Sequence, residues 1–286
     1  MKFNKVYIEI TNICGLECSF CPTKTLQNTT MDLSFFESIL TQVTHYTKTI
    51  TFHIFGDPLV LSNLVEYLNL AHKYNLKVEL VTTGYYLHNF DLDIFLHPAI
   101  KQINFSLNSF DKNNMDMSLE QYLKPMIDLS KLKIIKNKNM FINFRLWNLS
   151  EKNELNNFNN KIYKLLSEAF KVDLSNINST KSIRLDNKVL INFDYYFSWP
   201  TLNSTHYSHA SCYGLKSHFG ILSSGVVVPC CLDSFGIINL GNLHLTSLKE
   251  ILNSKRTQNI IKGFKNNTAI EELCQKCSFK DRFIQT

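Results

Sequence analysis

The sequence predicts an α/β fold: a partial (β/α)6 TIM-like barrel followed by a small β-hairpin plus helix domain. Three observations lead there. Over the first two-thirds of the 286 residues, short β-branched or aromatic runs alternate with amphipathic runs. Such repetition gives parallel strands joined by right-handed crossovers. Six units fall two short of a closed eight-fold barrel, so the sheet is expected to stay open. After about residue 186 the pattern changes to a hairpin signal and one capped helix. The expected division is residues 1–200 for the barrel and 201–286 for the second domain.

Strands are expected at 6–11, 49–55, 76–81, 102–107, 140–146 and, more weakly, 182–185. Helices are expected at 35–46, 64–74, 87–96, 119–132 and 154–170. Ser34 with Glu37 and Ser118 with Gln121 read as capping boxes, in which each end satisfies a free backbone N–H of the other. In the C-terminal third, runs at 219–222 and 226–230 joined through Ser223, Ser224 and Gly225 read as a hairpin. Ser247 with Glu250 caps a short helix ending near Ser254.

A content of 44% hydrophobic residues can bury a large core. The net charge of +6 is modest and Lys is spread along the chain, which argues against nucleic-acid binding. Nothing at the start resembles a signal peptide, and no apolar stretch reaches the roughly 20 residues of a membrane span. Eight cysteines without a secretory signal point to metal ligation, not disulfides, and to a reducing cytoplasm.

Cys14, Cys18 and Cys21 stand in one short loop with the spacing C-x3-C-x2-C, after the first strand. Three thiolates can hold three corners of a cubane cluster and leave the fourth iron open to a small molecule. A structural zinc site would want a fourth ligand, and the nearest candidate, His45, lies beyond a predicted helix. With an aromatic Phe20 just before the third cysteine, the loop resembles that of the radical S-adenosylmethionine (SAM) enzymes. The resemblance implies a 4Fe-4S cluster chelating SAM, reductive cleavage to a 5′-deoxyadenosyl radical and hydrogen abstraction from substrate. It also implies an adenine contact by the backbone around Phe20.

Ligands of parallel α/β folds sit at the carboxyl ends of the strands. The second strand ends in Phe55-Gly56-Asp57-Pro58, which resembles the superfamily's Gly-Gly-Glu-Pro motif, whose backbone carbonyls take the SAM ammonium group. Asp57 replaces the usual Glu. The third strand ends in Thr82-Thr83-Gly84, where the family often has Thr-Asn-Gly, marking Thr83. The fourth ends in Ser106-Leu107-Asn108, resembling the segment that reaches the SAM ribose and carboxylate; alternation puts Ser106 and Asn108 on one strand face. Arg145, near the end of the fifth strand, can clamp a carboxylate of SAM or substrate, or simply form an ion pair.

Five further cysteines lie in the final third: Cys212, Cys230, Cys231, Cys274 and Cys277. The pattern C-x12-G-x4-C followed by C-x2-C resembles the twitch module, a shortened SPASM domain carrying an auxiliary cluster. Cys212, Cys230, Cys274 and Cys277 are the expected ligands of a second, fully ligated 4Fe-4S cluster, and Cys231 the spare on the opposite strand face. Four-cysteine zinc is the rival.

The expected function is that of a radical SAM oxidoreductase or maturase acting on a small molecule or peptide, with an external electron donor such as flavodoxin or ferredoxin. Only five residues precede the first strand, giving an expectation of no peptide-recognition domain in cis and favouring a small molecule, or a peptide brought by a partner. The alternatives are a non-catalytic iron–sulfur carrier or sensor and a zinc-stabilised interaction module.

Overall fold

The structure, a computed structural model, describes residues 1–148, 155–175, 177, 181–206 and 211–283. Strand β1 (Lys5–Ile8) is followed by the cysteine loop and helix α1 (Leu33–Val43), then β2 (Thr49–Phe52), α2 (Leu64–Lys73) and β3 (Lys77–Thr82). Next come β4 (Ile100–Ser106), a one-turn α3 (Asn108–Asp111), α4 (Leu119–Ile135), β5 (Phe141–Leu146) and α5 (Leu155–Phe170). Glu154, the expected first residue of α5, lies outside the described residues. The chain then forms β6 (Ser182–Asp186), β7 (Val189–Phe193), β8 (His218–Ile221), β9 (Val226–Val228) and β10 (Gly241–Asn242). Helices α6 (Leu248–Asn253), α7 (Lys255–Lys265) and α8 (Glu272–Gln275) complete it.

Three expectations are corrected. The run 87–96 is not an α-helix but two 3-10 turns, Tyr85–Asn89 and Leu92–Leu96. Phe90 between them is extended, and the Asp91 side chain accepts from Asp93 N at 3.0 Å, starting a new cap in mid-run. Ser34 does not cap α1. Asp32 does, accepting from Phe35 N at 2.8 Å, while Ser34 Oγ donates to Asp32 at 2.6 Å. The sixth strand is also different. Residues 182–186 pair antiparallel with β7, and it is β7 that lies parallel to β5. A tight turn at Asn187 and Lys188, with Lys188 in the left-handed region at φ 58°, reverses the chain between them.

The capping boxes at Ser118 and Ser247 both form. The hairpin closes through Gly225 N donating to Leu222 O at 2.8 Å. Helix α7 is an element beyond those expected from the sequence; Ser254 caps it, and one face buries Ile260 and Phe264.

The chain folds as two compact units. One comprises Met1–Cys14, Cys21–Val78 and Phe197–Thr286. Its strands run in the order β10-β9-β8-β1-β2, with β1 parallel to both β2 and β8. Val6, Ile8 and Phe52 of the strands and Phe36 and Ile39 of α1 are fully buried, and Phe36 meets Phe52 and Tyr67 edge-on at 5.7 and 5.2 Å. The other unit comprises Gly15–Phe20 and Glu79–Tyr196, with strands in the order β3-β4-β5-β7-β6. Its strands β4, β5 and β7 are parallel. Ile103, Phe105, Ile142, Phe144 and Ile191 are fully buried on one face. The other face is polar: Asn143 Nδ2 donates to Asn104 Oδ1 at 2.9 Å, one row before Ser106, Arg145 and Asn192 stand in register. Among the described residues no helix is long and apolar enough to cross a membrane.

His218 opens β8 beside Lys5 of β1, its ring edge-on to Tyr7 at 5.5 Å. Burial first, then the Lys5 ammonium, lower its pKa from 6.5 to about 4. The unfolded chain therefore takes up a proton near 6.5 that the fold refuses until about 4, so stability is lost as pH falls through that window. The loss should approach about 3 kcal/mol. Urea midpoints measured from pH 7 to pH 4 on the native chain and on His218→Gln check this: the variant should show the shallower fall, and parallel profiles would refute it.

Candidate active site

The cysteine loop joins β1 to α1, and its base is laced by side chains. Asn12 donates from Nδ2 to Gln27 O at 2.8 Å and accepts from Thr29 N at 2.8 Å. Lys24 Nζ donates to Asn12 O at 3.0 Å and to Asn12 Oδ1 at 3.1 Å. Cys14 and Cys21, the outer cysteines, are half-buried, and Cys18 at the tip is 7% exposed. Gly15 turns the tip with φ 74°, in the left-handed region that a side chain disfavours. Phe20 places its ring 5.6 Å from that of Tyr196.

The Gly56–Pro58 turn lies against the base of this loop. Asp57 N donates to Ile13 O at 2.9 Å, and the buried Asp57 carboxylate accepts from Leu59 N at 2.9 Å, starting the short turn at Pro58. A Cβ on Gly56 would stand 2.2 Å from Thr11 O and 2.8 Å from Ile13 N, so only glycine permits the approach. Behind both, Glu9 is 3% exposed. Its carboxylate accepts from Phe55 N at 3.1 Å, Ser223 N at 3.0 Å and Ser223 Oγ at 2.9 Å, joining the turn to the β8–β9 hairpin.

In the second unit, Thr83 O accepts from the Tyr122 hydroxyl and Thr83 Oγ1 from Tyr85 N at 3.2 Å. Ser106 ends β4 in register with Arg145, whose guanidinium lies 5.4 Å from the centre of the Trp147 ring. Asn108 is not on the strand face with Ser106: Leu107 is already helical, and Asn108 opens α3. It is 3% exposed, and Oδ1 accepts from Trp147 N at 2.7 Å. Its Nδ2 is buried without a hydrogen-bond partner among the described residues. A buried donor left unpaired is costly, and it marks a place shaped for an acceptor from outside the chain. Asn192 Oδ1, a buried acceptor likewise without a partner among the described residues, was missed with its strand.

The other five cysteines all lie in the first unit. Burial pushes the Cys230 thiol well up, and repulsion from Cys231, Cys212, Cys274 and Cys277 adds to it. Cys274 is raised in the same way, by burial and then by Cys212 and Cys277. Cys212 is raised by burial, partly offset by Gly214 N, which donates to Cys212 Sγ at 3.4 Å. The four expected ligands thus lie within electrostatic reach of one another, and a cationic metal core would relieve their repulsion as thiolates. Lys280, 2% exposed, donates to Cys274 O at 2.9 Å and Gln275 O at 3.0 Å and lowers the Cys212 pKa. Cys231 packs with Tyr7 against Ile54, Leu222 and Val228. All eight cysteines are free thiols, and among the described residues no three His, Cys, Asp or Glu side chains close on a single metal ion.

The family model of the radical SAM superfamily matches residues 8–151, half of the chain, from β1 past Arg145. The chain belongs to the radical SAM superfamily. An iron-sulfur cluster-binding domain (SPASM) matches residues 212–278, which span the second cysteine set. The cofactors are accordingly the 4Fe-4S cluster and SAM of the radical SAM domain and the iron–sulfur cluster of the SPASM domain. No curated protein matches the chain.

Several solved structures share the fold. The crystal structure of BtrN in complex with AdoMet and 2-DOIA superimposes with a TM-score of 0.57 at 16% identity, covering 97% of this chain and 94% of that one. Hexahistidine-tagged anSMEcpe with bound AdoMet gives 0.61 at 14% identity, covering 97% and 84%. SuiB of Streptococcus suis bound to precursor peptide SuiA gives 0.61 at 15% identity, covering 100% and 74%. The α/β partial barrel expected from the sequence is therefore the fold of this chain.

Proposed function

We propose that this radical SAM enzyme is an oxidoreductase or maturase in which residues 1–200 carry the SAM chemistry and 201–286 an auxiliary cluster. The observation that carries this reading is the pair of free-cysteine sets on one chain. Three lie on the β1–α1 loop, and four, within electrostatic reach of one another, lie in the C-terminal part. Cys14, Cys18 and Cys21 would hold the first 4Fe-4S cluster, and Cys212, Cys230, Cys274 and Cys277 the second. When bound, an open 4Fe-4S cluster with SAM supplies reductive cleavage of the sulfonium and a 5′-deoxyadenosyl radical that abstracts a substrate hydrogen.

The chain's own residues bind and orient. Backbone carbonyls of the Gly56-Asp57-Pro58 turn would accept from the SAM ammonium group, close to the base of the cysteine loop that Asp57 N holds. The unpaired Asn108 Nδ2 would donate to the SAM carboxylate or ribose, with Ser106 and Arg145 in register beside one another. Thr83 and the backbone of Phe20 complete the set, Phe20 toward the adenine. Four-thiolate ligation by Cys212, Cys230, Cys274 and Cys277 would leave the second cluster no open iron, which would suit it to take the electron of the substrate radical left by hydrogen abstraction. BtrN with 2-DOIA and SuiB with a precursor peptide support a small molecule or a peptide as substrate. Flavodoxin or ferredoxin in a reducing cytoplasm would supply electrons.

Anaerobic reconstitution with iron and sulfide, then SAM and dithionite, tests the reading. About eight irons per chain and released 5′-deoxyadenosine are expected. A colourless protein holding zinc, or no SAM cleavage with any reductant, would overturn it.

A further inference from the structure

Beside the tip of the cysteine loop lies an open depression of about 630 Å³, lined by Gly15, Glu17 and Ser19 on one side and Asp111 to Asn114 on the other. Asn113, just past α3, crosses to the loop with every polar side-chain atom used. Its Oδ1 accepts from Glu17 N at 2.9 Å. Its Nδ2 donates to Ser109 O at 2.8 Å and to Cys18 Sγ at 2.9 Å. The orientation of the amide is not a free choice. A backbone N–H faces one end and a backbone carbonyl the other, so the oxygen must meet Glu17 and the nitrogen Ser109. That leaves the second N–H aimed at the sulfur.

We propose that Asn113 is a positioning residue for the first cluster, whose N–H···S hydrogen bond to Cys18 raises that cluster's reduction potential. The proposal rests on Cys18 being a cluster ligand. A donor on a ligating thiolate stabilises negative charge, and the reduced cluster carries one more negative charge than the oxidised one, so the bond favours reduction. Hydrogen bonds to sulfur are among the means by which proteins set cluster potentials. The same side chain ties the loop tip to the segment carrying Ser106 and Asn108. No sequence motif marks it.

The test is a potentiometric titration followed by electron paramagnetic resonance on the reconstituted full chain and on Asn113→Leu. At a fixed applied potential the reduced-to-oxidised ratio of the SAM-binding cluster should fall about threefold in the variant, about 28 mV at roughly 59 mV per tenfold for one electron. The auxiliary cluster should not move. An unchanged midpoint with the iron content intact overturns the proposal. Should Asn113→Leu fail to load iron, the unaltered chain labelled with 15N in its asparagine side-chain amides decides. Hyperfine coupling of that nitrogen to the reduced SAM-binding cluster supports the bond, and its absence overturns it. Wild-type protein with only the auxiliary cluster would instead overturn the assignment of Cys18, a separate and distinguishable failure.

Discussion

Replacing Cys14, Cys18 and Cys21 together by alanine should abolish 5′-deoxyadenosine formation and halve the bound iron, from about eight to about four per chain. The loss should be complete, because an open cluster cannot be held without its thiolates. The auxiliary set should load as before, since Cys212, Cys230, Cys274 and Cys277 lie far along the chain, with burial and mutual repulsion acting among themselves. Thermal stability should also change little. The base of the loop is held by Asn12, Lys24 and Thr29, none of which is altered. Iron and sulfide assays with quantification of 5′-deoxyadenosine read all of this. Residual SAM cleavage in the triple variant would show that the loop is not the site.

Glu9→Leu should be the most damaging substitution away from the cysteines, lowering folding stability by about 3 kcal/mol or more. The carboxylate serves three buried donors, Phe55 N, Ser223 N and Ser223 Oγ, and leucine leaves each without an acceptor. Burial raises the Glu9 pKa above 4.5, and the hydrogen bonds from Ser223 and Phe55 oppose that only in part. Between 4.5 and the raised value the fold keeps a proton that the unfolded chain releases, so this group makes stability decline as pH rises through that window. The sign is opposite to that of His218. Urea denaturation of Glu9→Leu and Glu9→Gln measures both effects, with Gln expected to cost less and to remove the pH slope. A change below about 1 kcal/mol for Leu would mean that water replaces the lost acceptor.

The sequence was most legible where chemistry restricts residue type. Cysteine spacing needs no knowledge of packing, and the capped helices at Ser118 and Ser247 follow from local hydrogen bonds. Packing and competing caps decided the misreadings. Leu87, Phe95 and Leu96 have a helix's apolar content, yet Asp91 starts a new turn among them. Asp32 and Ser34 are both good caps, and Asp32 took the position. Residues 189–193 alternate as a strand should, and so does the preceding run 182–185 that the sequence pattern puts in their place; only pairing with β5 separates the two. In the site, the glycine turn and the polar strand ends were readable. The Asn108 Nδ2, without a partner among the described residues, and the reach of Asn113 to Cys18 depend on where α3 begins, which the sequence pattern does not carry.

The parallel pairing of β1 with β8 has a consequence for how the chain is made. Lys5 is paired with His218 and Ile8 with Ile221, so once β1 has left the ribosome it must wait for one partner until more than two hundred further residues have been added. At 5–20 residues per second, that wait is on the order of 10–40 s. Throughout it one edge of β1, flanked by Val6 and Ile8, presents unpaired backbone groups of the kind that recruit other strands. The nascent chain is thus exposed to mispairing along β1, and the β8–β9 hairpin that Glu9 ties to the Gly56 turn is also what ends that exposure.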